Sequence, residues 1–161
     1  MPFNTEFKPV SLKHTTLFKP MKVGKTMVLH RAIIPPLNKM RADPETHILN
    51  EELSIEYHGQ RSQSPGTMII TEPGNISPEA GGYAGSPVIY SKVQMEVWQK
   101  FFSKIHENKS FAWVQLYALG SQASPKFLKA NGYKYVSASA GAYIDEIFEK
   151  KLRKQIIPKL V

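Results

Sequence analysis

Cysteine is absent from the 161 residues. Disulfides, thiolate nucleophiles and cysteine-based metal sites are thereby excluded, and the chain suits a reducing compartment. No apolar run approaches the ~20 residues that span a bilayer. The opening MPFNTEFKPVSLKHT holds no continuous apolar stretch before a small-residue cleavage site, so no secretory leader is expected. The expectation is a cytoplasmic protein with no membrane partner. Signatures of familiar chemistry are missing as well. There is no G-x-G-x-x-G after a strand, no Walker loop, no H-E-x-x-H and no G-x-S-x-G. The five histidines are dispersed at 14, 30, 47, 58 and 106, and no metal site is expected. Internal repeats and low-complexity segments are also lacking.

Hydrophobic residues make up 42% of the chain, enough for one folded domain. The formal charge is +8, a balance that can signal nucleic acid or an anionic surface. Its basic residues are spread along the chain, and only Lys150, Lys151, Arg153 and Lys154 cluster. The charge reads as a solvated surface. No nucleic-acid recognition module accompanies it.

The segment Leu17–Leu29 carries two short runs around Lys22-Val23-Gly24-Lys25, a pattern for a small hairpin. Ala32-Ile33-Ile34 is a strand stopped by Pro35-Pro36. Asn50 is a good N-cap, with Glu51 and Glu52 in the first turn. A helix over about 51–62 follows, with Leu49, Leu53 and Tyr57 recurring at fours. Thr67–Thr71 is a compact apolar strand. Ser91 with Gln94 forms a capping box, and Val97, Trp98, Phe101, Phe102 and Ile105 keep a helical stripe behind it. Full burial of each would stabilise packing by ~1.5–3 kcal/mol. Ser110–Leu116 is the third strand.

Strands alternating with helices imply parallel βαβ units. Such units form either an open doubly wound sheet or a closed barrel, and periodicity does not choose between them. In both, function gathers at the C-terminal strand ends, here Pro35–Asn38, Thr71–Gly74 and Gln115–Tyr117. Gln115 is an amide on a strand expected to be buried on both faces, where it needs partners. It either bonds a neighbouring loop or recognises a planar ligand edge offering donors and acceptors. Tyr83, after Gly81-Gly82, and Tyr117 could wall a pocket or simply pack.

LFKP at 17–20, HRAIIPPL at 30–37, RA at 41–42, PGTMIITE at 65–72, ISPEAGGY at 76–83 and SFAWVQL at 110–116 together resemble the old yellow enzyme family. The likeness runs almost without gaps from Met1 to about Tyr143. It implies an α/β fold, the N-terminal portion of a (β/α)8 TIM barrel with a β-hairpin capping the base. The resemblance further implies FMN bound at the strand C-termini and NADPH as reductant. The reduced flavin gives hydride to the β-carbon of an activated alkene such as an enone, while a tyrosine protonates the α-carbon. By position, Pro36 and Leu37 would flank the flavin, Gln115 would hydrogen-bond its pyrimidine edge, and Tyr83 and Tyr117 would border substrate.

Three departures follow from the same comparison. Asn38 stands in the place of a threonine that bonds flavin O4. Pro73 stands in the place of a small residue whose backbone N–H faces the same edge, and proline has no N–H. Tyr117 stands where many relatives have tryptophan. The carbonyl-polarising His/Asn pair, the proton-donating tyrosine and the phosphate site of the family come later than any segment matched here. The resemblance therefore assigns no catalytic residue to this sequence. The expectation is an incomplete barrel over 1–142 followed by a divergent, basic, helical tail over 143–161, with Ile144, Ile147, Phe148 and Leu152 on one face. Alone it would bind FMN weakly or not at all, would be inactive, and would self-associate or pair with a related barrel chain. The alternative is a non-enzymatic remnant that associates with another chain.

Overall fold

The computed structural model describes residues 10–137. The expected tail helix and the boundary near 142 lie outside the described residues. The hairpin forms from β1 (Met21–Val23) and β2 (Thr26–Val28), antiparallel with Met21 opposite Val28. Gly24 takes φ +59° in its turn, a conformation glycine adopts without a Cβ penalty. The hairpin is tied to the base of the next sheet, because the Leu29 N–H donates to the Gly66 carbonyl at 3.2 Å.

That sheet has three parallel strands in the order β3 (Ile33–Ile34), β4 (Met68–Ile70), β6 (Phe111–Trp113). Helix α1 (Glu51–Arg61) crosses from β3 to β4, and α2 (Lys92–Glu107) from β4 to β6. Asn50 caps α1 by accepting the Leu53 N–H at 2.9 Å. Ser91 and Gln94 cap α2 reciprocally, as the capping-box pattern predicts. A second parallel pair, β5 (Gly74–Asn75) with β7 (Leu116–Tyr117), prolongs the β4 and β6 lines after a break at 71–73 and 114–115. The break is bridged by the Thr71 N–H to Trp113 O at 2.8 Å and the Gly74 N–H to Gln115 O at 2.9 Å. Pro73 falls inside it, where a missing donor costs no ladder bond. A short helix, α3 (Pro125–Ala130), begins with Ser124 as N-cap and proline at its first turn.

Register and pleat divide the side chains into two rows. Ile34, Ile69 and Ala112 are neighbours across the sheet and face the helices. There Ile69 joins Leu49, Val97, Trp98, Phe101 and Ile105 in the core. The Trp98 indole N–H is satisfied by the Val88 carbonyl at 2.9 Å. Ile33, Met68 and Phe111 form the opposite row, continued by Ile70 beside Trp113; none of these five is fully buried. The expectation that Ser110–Leu116 is buried on both faces is corrected accordingly. Helices cover one face, the described strands leave the other open, and no closed barrel forms among the described residues. The stripe expected along α1 holds for Leu49, which sits in the core with Ile55 packed against it, but not for Leu53. Leu53 is half exposed, and the face turned inward carries Ser54, His58 and Gly59. No helix among the described residues is long and apolar enough to cross a membrane.

Candidate functional site

Parallel pairing brings the C-terminal ends of β3, β4 and β6 side by side. Three segments meet there: Pro35–Asn38, Thr71–Gly74 and Val114–Tyr117. Gln115 is exposed, against the expectation of a buried amide. It lies two residues past β6, in the break before β7. Its carbonyl takes the Gly74 N–H, and its side-chain amide has no hydrogen-bond partner among the described residues, so both its donor and its acceptor are available. Leu37 exposes apolar surface nearby in the sheet's terminal layer, with 56% of its area open, and Pro36 is half-buried.

Asn38 is not available in the same way. Its Oδ1 accepts the Met40 N–H at 2.9 Å, which fixes the amide, and its Nδ2 donates to Ser86 Oγ at 2.8 Å. Ser86 is fully buried, and its hydroxyl stands 2.8 Å from the Tyr117 hydroxyl. The structure therefore joins Asn38 to Tyr117 through one side chain. Sequence reasoning missed Ser86, since a serine before a proline carries no signal of its own. Tyr83 lies apart from this chain. Its hydroxyl donates to the Gln122 carbonyl at 2.7 Å, and its ring lines a separate cavity of about 120 Å³ with Asn75, Val88 and Phe127.

Behind the strand ends lies a second group that sequence reasoning also missed. Glu72 follows β4 and is 3% exposed. Burial pushes its carboxyl above the ordinary range, opposed by the Lys39 charge and by the Lys39 N–H, which donates to it at 3.3 Å. Burial lowers the Lys39 ammonium in turn, against the pull of Glu72. The ammonium rests 4.5 Å from the Tyr57 ring centroid, and the Arg61 guanidinium 3.5 Å from it. His58, buried beside them, is held down to about 4 by burial, with Lys39 and Arg61 adding to the effect against a bond to the Ser54 carbonyl. Lys39, Tyr57, His58 and Glu72 border a cavity of about 40 Å³, too small for an organic ligand. The one early signal was an acid directly after an apolar strand. No cluster able to hold a metal ion exists among the described residues.

Whether FMN suits this face is answered by the donor set. An unpartnered amide offering donor and acceptor suits a pyrimidine edge, and Pro36 with Leu37 offers apolar surface for a ring. Pro73 adds no donor, and one of the two Asn38 Nδ2 hydrogens is already given to Ser86 Oγ. The face thus fits the flavin ring through Gln115.

Comparison with known proteins agrees with this geometry. The model of the NADH:flavin oxidoreductase / NADH oxidase family matches residues 16–161. Enoate reductase 1 of Kluyveromyces lactis is 46% identical over 140 residues, covering 87% of this chain and 35% of that protein. A probable NADPH dehydrogenase of Candida albicans is 40% identical over 151 residues, 93% of this chain and 36% of its own length. Among solved structures, Old Yellow Enzyme from Pichia sp. AKU4542 superposes with a TM-score of 0.77 at 34% identity, covering 84% of this chain and 35% of that one. The chain thus spans about a third of the length of the relatives it matches, and its open parallel sheet is a part of their TIM-barrel fold. The agreement of motif order, hairpin, strand order and matched length leads to one conclusion: the chain belongs to the NADH:flavin oxidoreductase / NADH oxidase family, of old yellow enzyme type.

Proposed function

We propose that this chain supplies the flavin-ring face of an FMN-dependent reductase that draws hydride from NADPH and reduces activated alkenes such as enones. The observation that carries the reading is the free, exposed Gln115 amide just past the end of β6. FMN, when bound, supplies the hydride chemistry. The residues of this chain bind and orient. Gln115 holds the pyrimidine edge, Pro36 and Leu37 pack against the ring, and Pro73 lies at the O4 edge without an N–H to offer. Tyr117 borders the substrate. Tyr83 stands at the mouth. The cysteine-free composition suits the cytoplasm.

The site residues placed here serve the ring rather than the phosphate. Flavin fluorescence titration of the 161-residue chain should therefore give weak binding, with FMN and riboflavin alike. Gln115→Leu should weaken both by roughly tenfold, the loss of one well-formed amide pairing. No fluorescence change up to millimolar flavin, or full affinity in Gln115→Leu, would overturn the reading. A second reading, a non-catalytic module that pairs with another chain, rests on the exposed row led by Ile33, 44% open on the edge strand β3.

A further inference from the structure

The two polar departures named above, Asn38 and Tyr117, are the two ends of one hydrogen-bond chain, and Ser86 is its middle. The direction of that chain follows from what each group can do. Asn38 Oδ1 is committed to the Met40 N–H at 2.9 Å, so the Nδ2 side faces Ser86, and an amide nitrogen only donates. Ser86 Oγ accepts that bond at 2.8 Å. Ser86 is 0% exposed, so its own hydrogen has no water to go to. The remaining partner within reach is the Tyr117 oxygen at 2.8 Å. The serine therefore donates to the phenol oxygen. With its oxygen accepting, Tyr117 has its own O–H left to donate, and the residue is only half-buried.

We infer that Ser86 is a positioning residue, which aims Tyr117 and leaves its hydroxyl as a hydrogen-bond donor toward an oxygen acceptor on the ligand. A ligand bearing a carbonyl oxygen is favoured over its hydrocarbon counterpart. The inference rests on the proposed flavin site for the identity of the ligand, but the hydrogen-bond chain itself exists without flavin. Direction is its distinguishing property. In the variant Asn38→Asp, the carboxylate has the shape of the amide and still accepts the Met40 N–H, but its remaining oxygen only accepts. Ser86 must then donate to that carboxylate and accept from Tyr117, which turns the phenol O–H inward.

The experiment uses the 161-residue chain with tyrosine labelled at 13Cζ. In the flavin-free protein, Asn38→Asp and Ser86→Ala should each move the Tyr117 resonance, although Asn38 does not touch Tyr117. With FMN saturating, cyclohexenone affinity read from flavin absorbance should fall roughly five- to tenfold in Asn38→Asp, Ser86→Ala and Tyr117→Phe alike, the loss of one hydrogen bond. The double variant Asn38→Asp/Tyr117→Phe should bind no worse than Tyr117→Phe. A Tyr117 resonance indifferent to Asn38→Asp would overturn the relay. A shifted resonance with unchanged enone affinity in the loaded protein would overturn the donor role. Failure of flavin to bind would overturn the flavoprotein reading instead, and with it the ligand assigned to Tyr117, while the resonance still decides the relay.

Discussion

Acid should unfold this protein through His58. The imidazole is 1% exposed on α1, stacked on Phe101 with centroids 4.6 Å apart at 16°. Its Nδ1 lies 2.8 Å from the Ser54 carbonyl, so the neutral ring carries its hydrogen there. Burial, helped by the Lys39 and Arg61 charges, lowers it from 6.5 to about 4 in the fold. The unfolded chain therefore takes up the proton first. Stability from His58 is fully present above pH 6.5 and is lost as pH falls toward 4. At about 1.4 kcal/mol per pH unit, the loss is about 3 kcal/mol, a large share of a small domain's stability. Glu72 works against it, since its raised value makes the folded form the better proton acceptor. A comparison with His58→Phe removes that contribution, because Glu72 is common to both proteins. Urea unfolding followed by tryptophan fluorescence, at pH steps from 7.5 to 4, reads the difference. The stability of wild type minus that of His58→Phe should fall by about 3 kcal/mol across this range. Parallel pH profiles would refute the burial argument and mean that the pocket around His58 admits water or rearranges to accept charge.

Two further outcomes follow from the packing. Gly66 has φ +79°, and a Cβ there would sit 2.3 Å from Leu29 Cγ; Gly66→Ala should cost about 2 kcal/mol or more, measured as a lowered urea midpoint with unchanged slope. The open row of Ile33, Met68 and Phe111, bounded by edge strands β3 and β6, should drive self-association at micromolar concentration; a stable monomer by light scattering, with all three strands protected from hydrogen exchange, would contradict this.

Much of the fold was legible because it is local. Asn50 and the Ser91/Gln94 pair announce helix starts through side-chain bonds spanning three residues, and the stripe through Trp98, Phe101 and Ile105 repeats at the helical period. The α1 face was misread for a physical reason. Leu53 and Tyr57 keep the period, yet the side that packs inward carries Ser54 and His58, the imidazole bonding the Ser54 carbonyl and stacking on Phe101. The extent of the strands was overstated, because the break at 71–73 and 114–115 depends on how two lines of chain meet. Gln115 and Tyr117 were legible from their place just past a strand, whereas Pro36, Leu37, Asn38 and Pro73 came from a resemblance. Ser86 carried no signal and Glu72 only its place after an apolar strand, for a common reason. Each gains meaning only from partners that are 31 to 48 residues away for Ser86 and 33 for Glu72.

The link from Asn38 through Ser86 to Tyr117 also limits how this sequence can change. A buried hydroxyl with two partners is stranded when either is exchanged alone. Threonine at 38 would offer Ser86 only a shorter arm than the Asn38 amide, and tryptophan at 117, whose indole N–H only donates, would leave it short of its acceptor. The three positions are therefore epistatic. A change at one of them should cost more stability alone than beside a matching change at its partner.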